Sequence, residues 1–189
     1  MKPVALTKIR FVKALQCPRK LQYERDSRYL DTSADDEFLE SLAEGGHQVG
    51  ELARKMFPQG HLITEASPEE QVRTTRSLLE RQVVSIFEAT IRYGNLLVRC
   101  DVLQRTGNRL DLIEVKAKGF NPHKDSFLSS RGDHPVRSTW RPYLYDIAYQ
   151  AYVLSCAYPQ FAVVSSLLLL DKTVVVPIPG LNSSFAVTL

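Results

Sequence analysis

The chain has 189 residues, 44% of them apolar, which suffices for one ordinary domain with a real core and argues against disorder. A net charge of only +3 and a pI of about 8.8 make a bulk-charge argument for nucleic acid weak on its own: they permit such a partner without demanding it, and any basic surface has to be local. The longest apolar run, 161–170, is broken by serines and too short to span a bilayer, and the N-terminus lacks the apolar stretch of a secretory signal, so a cytoplasmic protein with no membrane partner is expected.

Thr7 stands in a capping position before Ile9, Val12, Ala14 and Leu15, which predicts a helix over about 8–15. Pro18 breaks it or starts a second short helix, whose Arg19, Lys20 and Arg25 give it a basic face: a solvated surface or a nucleic-acid contact. From Asp35 the stretch DDEFLESLAEGGHQVGELARKMFP puts Phe38, Leu39, Leu42, Val49, Leu52, Ala53 and Met56 on one face of a helix or helix pair. Gly45 and Gly46 imply a break there or a close approach to another backbone. Ser67-Pro68-Glu69-Glu70 is a helix start, and the helix is expected to run to about Arg81. Three antiparallel strands follow at about 83–92, 95–104 and 109–118, joined by Tyr93-Gly94-Asn95 and Thr106-Gly107-Asn108 turns. Residues 119–139 read as a long loop, and a largely apolar helix of about four turns follows Trp140. Phe161–Leu170 and Val174–Ile178 read as two more strands, the first expected to be central because it is nearly all apolar. The order predicts one mixed α/β domain over 1–189, with 1–82 mainly helical and 83–180 a sheet core.

Within NLLVRCDVLQRTGNRLDLIEVKAK, Asp101, Glu114 and Lys116 are charges embedded among β-formers, and such groups are costly unless paired or bound to metal. Two carboxylates at strand ends, with the Val115 carbonyl between them, are the oxygen donors that Mg²⁺ and Mn²⁺ prefer. Lys116 lies two residues beyond Glu114 and so shares its strand face, where an ammonium can orient a nucleophile or stabilise charge on phosphorus. Glu88, in the apolar strand SIFEATI, needs a partner and is a further ligand candidate or half of an ion pair; Glu51 is another.

Asp101, a hairpin and then Glu114-Val115-Lys116 resemble the PD-(D/E)XK nuclease signature, here without the proline before the aspartate. The stretches FVKALQCPRKLQYE, GNLLVRCDVL and YDIAYQAYVL are similar to those of RecB-type exonucleases, including the CRISPR-associated exonucleases that trim spacer precursors, and most of all to an uncharacterised bacterial family of nuclease-like proteins. The resemblance covers about Leu6 to Leu170. It implies a restriction-endonuclease-like core with a mixed central sheet, flanked by N-terminal helices, and a DNA partner, single-stranded DNA included. It implies that Gln150 contacts the phosphate backbone or the lysine region, the alternative being a surface position on an amphipathic helix. Tyr149 or Tyr152 is then placed to stack on or hydrogen-bond substrate, with Arg19 and Lys20 as further substrate contacts; where relatives carry a tyrosine four residues after the glutamine, this chain has Leu154. Relatives also carry a metal-binding histidine in a Gly-x-x-x-His pattern, where this chain has Val49 or Gly50; His47 is nearby, as a ligand or as an ordinary polar helix residue.

Cys17 resembles the first cysteine of the iron–sulfur cluster in the CRISPR-associated relatives, but Cys100 and Cys156 do not complete a four-thiolate set, so no cluster is expected and the thiols are taken as reduced. The sequence stops soon after a strand, and it is expected to be naturally shorter than, or one domain of, longer relatives. Three readings follow. The leading one is a Mg²⁺- or Mn²⁺-dependent DNA nuclease with Asp101 and Glu114 as ligands and Lys116 as base or transition-state stabiliser. The second is a non-cleaving nucleic-acid-binding or protein-interaction module on the same fold. The third makes Lys116 and an acid an internal salt bridge of an ordinary α/β domain.

Overall fold

Leu6–Thr7 (β1) runs straight into Lys8–Gln16 (α1), followed by Lys20–Tyr23 (α2), in a computed structural model that describes residues 5–24, 26, 28–29, 37–130, 132–133 and 135–174. The Thr7 hydroxyl accepts from the Arg10 N–H, the cap its position predicts. Glu37–Lys55 (α3) is a single helix that passes through Gly45 and Gly46. Neither a break nor a close approach explains that pair, because nothing described lies within 4 Å of where their side chains would be. Two glycines cost a helix about 2 kcal/mol, which packing of its apolar face can outweigh. Ala53 is buried on that face, whereas Met56 is 61% exposed.

His61–Leu62 (β2) precedes Pro68–Leu78 (α4), which stops three residues short of Arg81. Ser67 caps it by accepting from the Glu70 N–H, and the Ser67 hydroxyl donates back to the Glu70 carboxylate. The expected meander follows as Val83–Tyr93 (β3), Leu96–Thr106 (β4) and Arg109–Phe120 (β5), turned by Gly94 and Gly107 at φ of +58° and +60°. The connection to Arg141–Ala157 (α5) carries a single Leu128–Val136 bridge, and Ala162–Asp171 (β6) closes the described part of the sheet. Residues 175–178 of the last expected strand lie outside the described residues.

The architecture is mixed α/β: among the described residues there are a six-stranded sheet in the order β2-β3-β4-β5-β6, with β1 added alongside β4, and five helices. Contrary to the expectation for 161–170, β6 is at an edge among the described residues, parallel to β5, and many of its residues are half-buried or exposed. An unbroken apolar run cannot by itself separate a central strand from an edge strand with partly covered faces. Helix α5 lies against β3, β4 and β6, burying Ile147, Val153 and Leu154 with Val98, Cys100, Leu110 and Leu112. Among the described residues no helix is long and apolar enough to cross a membrane.

Two departures from regular pairing position the site. First, β3 and β4 skip a rung: Phe87 pairs with Val102 and Ala89 with Cys100, leaving Glu88 and Asp101 out of the register. Core-facing residues accordingly slip from Val84 and Ile86 to Ala89 and Ile91 on β3, and from Val98 and Cys100 to Leu103 on β4. Glu88 takes φ of +57°, a left-handed conformation that costs a residue with a side chain about 1–3 kcal/mol and recurs beside functional sites. Second, β5 pairs with β4 only as far as Ile113 opposite Val102, then continues with β6 through Glu114, Val115 and Lys116. Farther along β4, β1 takes over as its partner at Leu96 and Leu97, so β4 and β5 form a fork with β1 across its mouth.

Candidate active site

The fork gathers side chains that are far apart in sequence. Pairing of Leu6 and Thr7 with β4 delivers the next residue, Lys8, to the fork, where its ammonium donates to Glu114 Oε1 at 2.9 Å and lies 3.9 Å from Asp146 Oδ2. Lys116 shares the Glu114 face, as its spacing requires, and donates to Glu114 Oε1 at 2.6 Å and to Asp146 Oδ2 at 2.9 Å. Asp146 and Gln150 stand one helical turn apart on α5. The Gln150 amide nitrogen donates to Glu114 Oε2 at 2.7 Å and to Asp146 Oδ1 at 3.0 Å. Asp101 spans the fork differently: its Oδ2 accepts from the Val115 N–H at 2.7 Å, in place of a ladder bond between the parted strands.

A cavity of about 310 Å³ opens beside the cluster, lined by His47, Gly50 and Glu51 of α3 together with Glu88, Asp101 and Val115. Neighbouring residues of a strand face opposite ways, so Glu114 turns toward α5 while Val115 turns toward α3. Gly50, one of the two positions matched to the Gly-x-x-x-His pattern, lines this cavity with open space in place of a side chain, and His47 lines it from the preceding turn. Glu88 accepts from Arg54 at 3.1 Å, and Arg54 also binds Glu51 at 2.6 Å, so the ion-pair alternative for Glu88 is realised within the cavity wall.

Charge is unevenly distributed across the fork. Burial alone pushes Glu114 up, but the Lys8 and Lys116 ammoniums, with hydrogen bonds from Lys116 and Gln150, hold it at about 2. Asp101 moves the other way, to about 6, through burial and the nearby Glu114 carboxylate, against the pull of Lys8 and the Val115 N–H. Burial and Glu114 also raise Asp146. Burial lowers the Lys116 pKa, yet Glu114 and Asp146 outweigh it and raise it above the ordinary lysine value, so the group is an ammonium at neutral pH. Three carboxylates face two ammoniums, and Asp101 carries the excess negative charge. Because its folded pKa is raised, ionised Asp101 is a penalty absent below the unfolded value of about 4 and fully present above about 6. Asp101→Asn, which keeps an acceptor for the Val115 N–H, is expected to stabilise the protein at pH 7.5 by about 1–2 kcal/mol after allowance for screening, and by almost nothing at pH 4. Thermal melts of both proteins at the two pH values check this.

Of the residues singled out in the sequence, Glu114, Lys116 and Gln150 form one bonded cluster, and Asp101 and the Val115 backbone adjoin it. Gln150 is fully buried, which excludes the surface alternative, and its Oε1 has no partner among the described residues. Tyr149 is not available to stack on substrate: it is 6% exposed, stacks on Phe11 and donates its hydroxyl to the Leu6 carbonyl at 2.6 Å. Tyr152 is 59% exposed, and Arg19 and Lys20 lie on the outer surface of α2. Leu154, four residues after Gln150, is buried in the core. Two members of the cluster carried no weight in the sequence, Lys8 and Asp146. The i, i+4 spacing of Asp146 and Gln150 in YDIAYQ was the available signal for the second; for Lys8 there was none, since only the strand pairing of β1 brings it to the fork.

The oxygen-rich donor set of Asp101, Glu114 and the Val115 carbonyl suits a hard divalent cation, and the Lys8 ammonium on Glu114 is a stand-in for positive charge at that carboxylate. Among the described residues, however, no three His, Cys, Asp or Glu side chains converge as a metal-holding group. Cys17, Cys100 and Cys156 are free thiols, Cys100 buried beside Asp101 with its pKa pushed up by burial and Glu114. No family model matches this chain, and no curated protein is significantly similar to it.

Proposed function

We propose that the protein is a Mg²⁺- or Mn²⁺-dependent nuclease with a restriction-endonuclease-like core, hydrolysing DNA phosphodiester bonds at the fork between β4 and β5. The observation that carries this reading is the meeting of Glu114, Lys116 and Gln150 in one buried cluster next to Asp101 and a cavity open to substrate. A structural ion pair needs one acid and one base; here four elements contribute, and Asp101 is left ionisable near neutrality at a stability cost.

Asp101, Glu114 and the Val115 carbonyl would hold the cation, with Glu88 or His47 from the cavity wall as additional donors. When bound, a divalent cation supplies Lewis acidity that lowers the pKa of water and positive charge opposite the phosphoryl oxygens. Glu114, ionised down to about pH 2, keeps its negative charge throughout. Gln150 fixes the Glu114 carboxylate through Oε2, and its unpartnered Oε1 is an acceptor for an incoming water or donor. Lys116 is held protonated by two carboxylates, so its part is to stabilise charge developing on phosphorus rather than to take a proton. Arg54 and Arg99 border the cavity and give a phosphate chain cationic contacts.

The non-cleaving alternative draws on a specific observation as well: two ammoniums and an amide already occupy both Glu114 oxygens. One experiment separates the two. Purified protein incubated with end-labelled single- and double-stranded DNA is expected to degrade it with Mn²⁺ or Mg²⁺ and to leave it intact with EDTA. Retardation of the DNA that falls steeply with salt, with no cutting under either metal, would instead establish the binding module.

A further inference from the structure

We propose that the Lys8 ammonium is the resident cation of the acid cluster in the metal-free protein, and that divalent metal binding displaces it from Glu114 and loosens α1. The inference rests on the metal-dependent reading above and assigns Lys8 a function in it: a built-in competitor that keeps the site closed until metal arrives.

The capacity of Glu114 is the first reason. Its Oε1 accepts from both Lys8 and Lys116, which uses the two lone pairs of that oxygen, and its Oε2 accepts from Gln150. A cation cannot reach Oε1 without the loss of one ammonium. Lys116 is the better held of the two, since it lies on the same strand as Glu114 and also bonds Asp146 at 2.9 Å, where Lys8 approaches Asp146 only to 3.9 Å. Lys8 also belongs to a helix with no fully buried residue, tied to α5 by the stacking of Phe11 on Tyr149.

The second reason is space. Lys8 borders the acid cavity on one side and, on the other, a groove of about 440 Å³ between α1 and α5 lined by Val12, Lys13, Gln16, Pro142 and Tyr143. Its side chain borders both hollows, and withdrawal into the groove, where Asp146 and Lys116 also line the wall, needs no repacking of the core. The third reason is electrostatic. Lys8 faces Glu114 and Asp101, the two acids that would hold a divalent cation, with Asp146 beside them, so its ammonium and a metal compete for one field. A lysine serving only to pin α1 to the sheet needs a single acid, and loss of such a pin would weaken metal binding or leave it unchanged.

The test is titration of Mn²⁺ into metal-free full-length protein by calorimetry, for wild type, Lys8→Met and Lys8→Arg, with circular dichroism to verify folding. Lys8→Met, which keeps the length of the stem without the charge, is expected to bind Mn²⁺ about tenfold more tightly than wild type, the equivalent of one hydrogen bond to a charged group; Lys8→Arg is expected to bind no more tightly than wild type. Amide exchange supplies a measurement that needs no variant: saturating Mn²⁺ is expected to speed exchange in residues 9–13 of wild type. Equal or weaker Mn²⁺ binding by folded Lys8→Met, or unchanged exchange in α1 at saturation, overturns the resident-cation role and leaves the metal site standing. Failure of all three proteins to bind Mn²⁺ overturns both together.

Discussion

Lys116→Ala is expected to lower Mn²⁺-dependent DNA cleavage by a factor of about 10³, the usual consequence of removing one preorganised charge or donor at a reacting centre. The fold should survive the change. Glu114 keeps its bonds from Lys8 and Gln150, and Asp146 keeps the Gln150 amide, so the carboxylates that Lys116 leaves behind are not stripped bare. The stability loss is accordingly that of weakened hydrogen bonds to charged groups, about 1–3 kcal/mol. Lys116→Arg is the informative companion. A guanidinium preserves the positive charge and the ion pairs but cannot put a compact ammonium at the same point, so near-wild-type melting is expected together with a large loss of cutting. Substrate affinity, measured by retardation in EDTA, should change little in either variant, because most phosphate contacts would come from other cations. Undiminished cleavage by Lys116→Ala would remove this residue from the chemistry and leave the ion-pair reading as its explanation.

The sequence made the meander legible because its signals are local: β-formers in runs of about ten, with glycine turns between them. Lys116 and Glu114 on one face follow from period-two geometry, and that relation stands. Convergence of Asp101 with Glu114 was harder to read. A continuous β4–β5 ladder would make them direct neighbours, but the strands part beyond Val102 and Ile113, and Asp101 turns to the Val115 N–H while Glu114 goes to the ammoniums. Strand divergence depends on what wedges the fork, and the wedge, β1 with Lys8, comes from ninety residues upstream. The kink at Glu88 left a trace in the broken alternation of SIFEATI, where Ile86 and Phe87 are both buried and Ala89, Thr90 and Ile91 all are. Such a trace records a bulge without saying which carboxylate it re-aims. The inward packing of Tyr149 was illegible for a related reason: on a helix buried along much of its length, an aromatic is as readily packed inward as presented to substrate.

Glu114→Ala is expected to cost about 3–5 kcal/mol at pH 7, the largest stability effect of any single change at the fork. The Glu114 side chain is fully buried and anchors two ammoniums and the Gln150 amide. Its loss leaves Lys8 and Lys116 near one another with Asp146 as their shared counter-ion, and leaves a buried amide donor with one acceptor fewer. Glu114→Gln retains an acceptor and the volume, so it isolates the charge and should cost roughly half as much. The pH dependence separates this group from its neighbours. With a folded pKa of about 2, below the unfolded value of about 4.3, Glu114 contributes stability that is complete above pH 5 and drains away as pH falls toward 2. Asp101 and Asp146, whose folded values are raised, act in the opposite sense and relieve a penalty as they take up protons. Wild type is therefore expected to gain slightly from pH 7.5 to about 5 and to lose stability steeply below 4, whereas Glu114→Gln, without the carboxylate that helps to raise Asp101 and Asp146, should show a smaller first trend and lose most of the second. Urea denaturation across this range measures both slopes. A Glu114→Gln profile parallel to wild type below pH 4 would mean that the ammoniums do not hold this carboxylate in solution, and the electrostatic basis for Lys8 as its resident cation would fall with it.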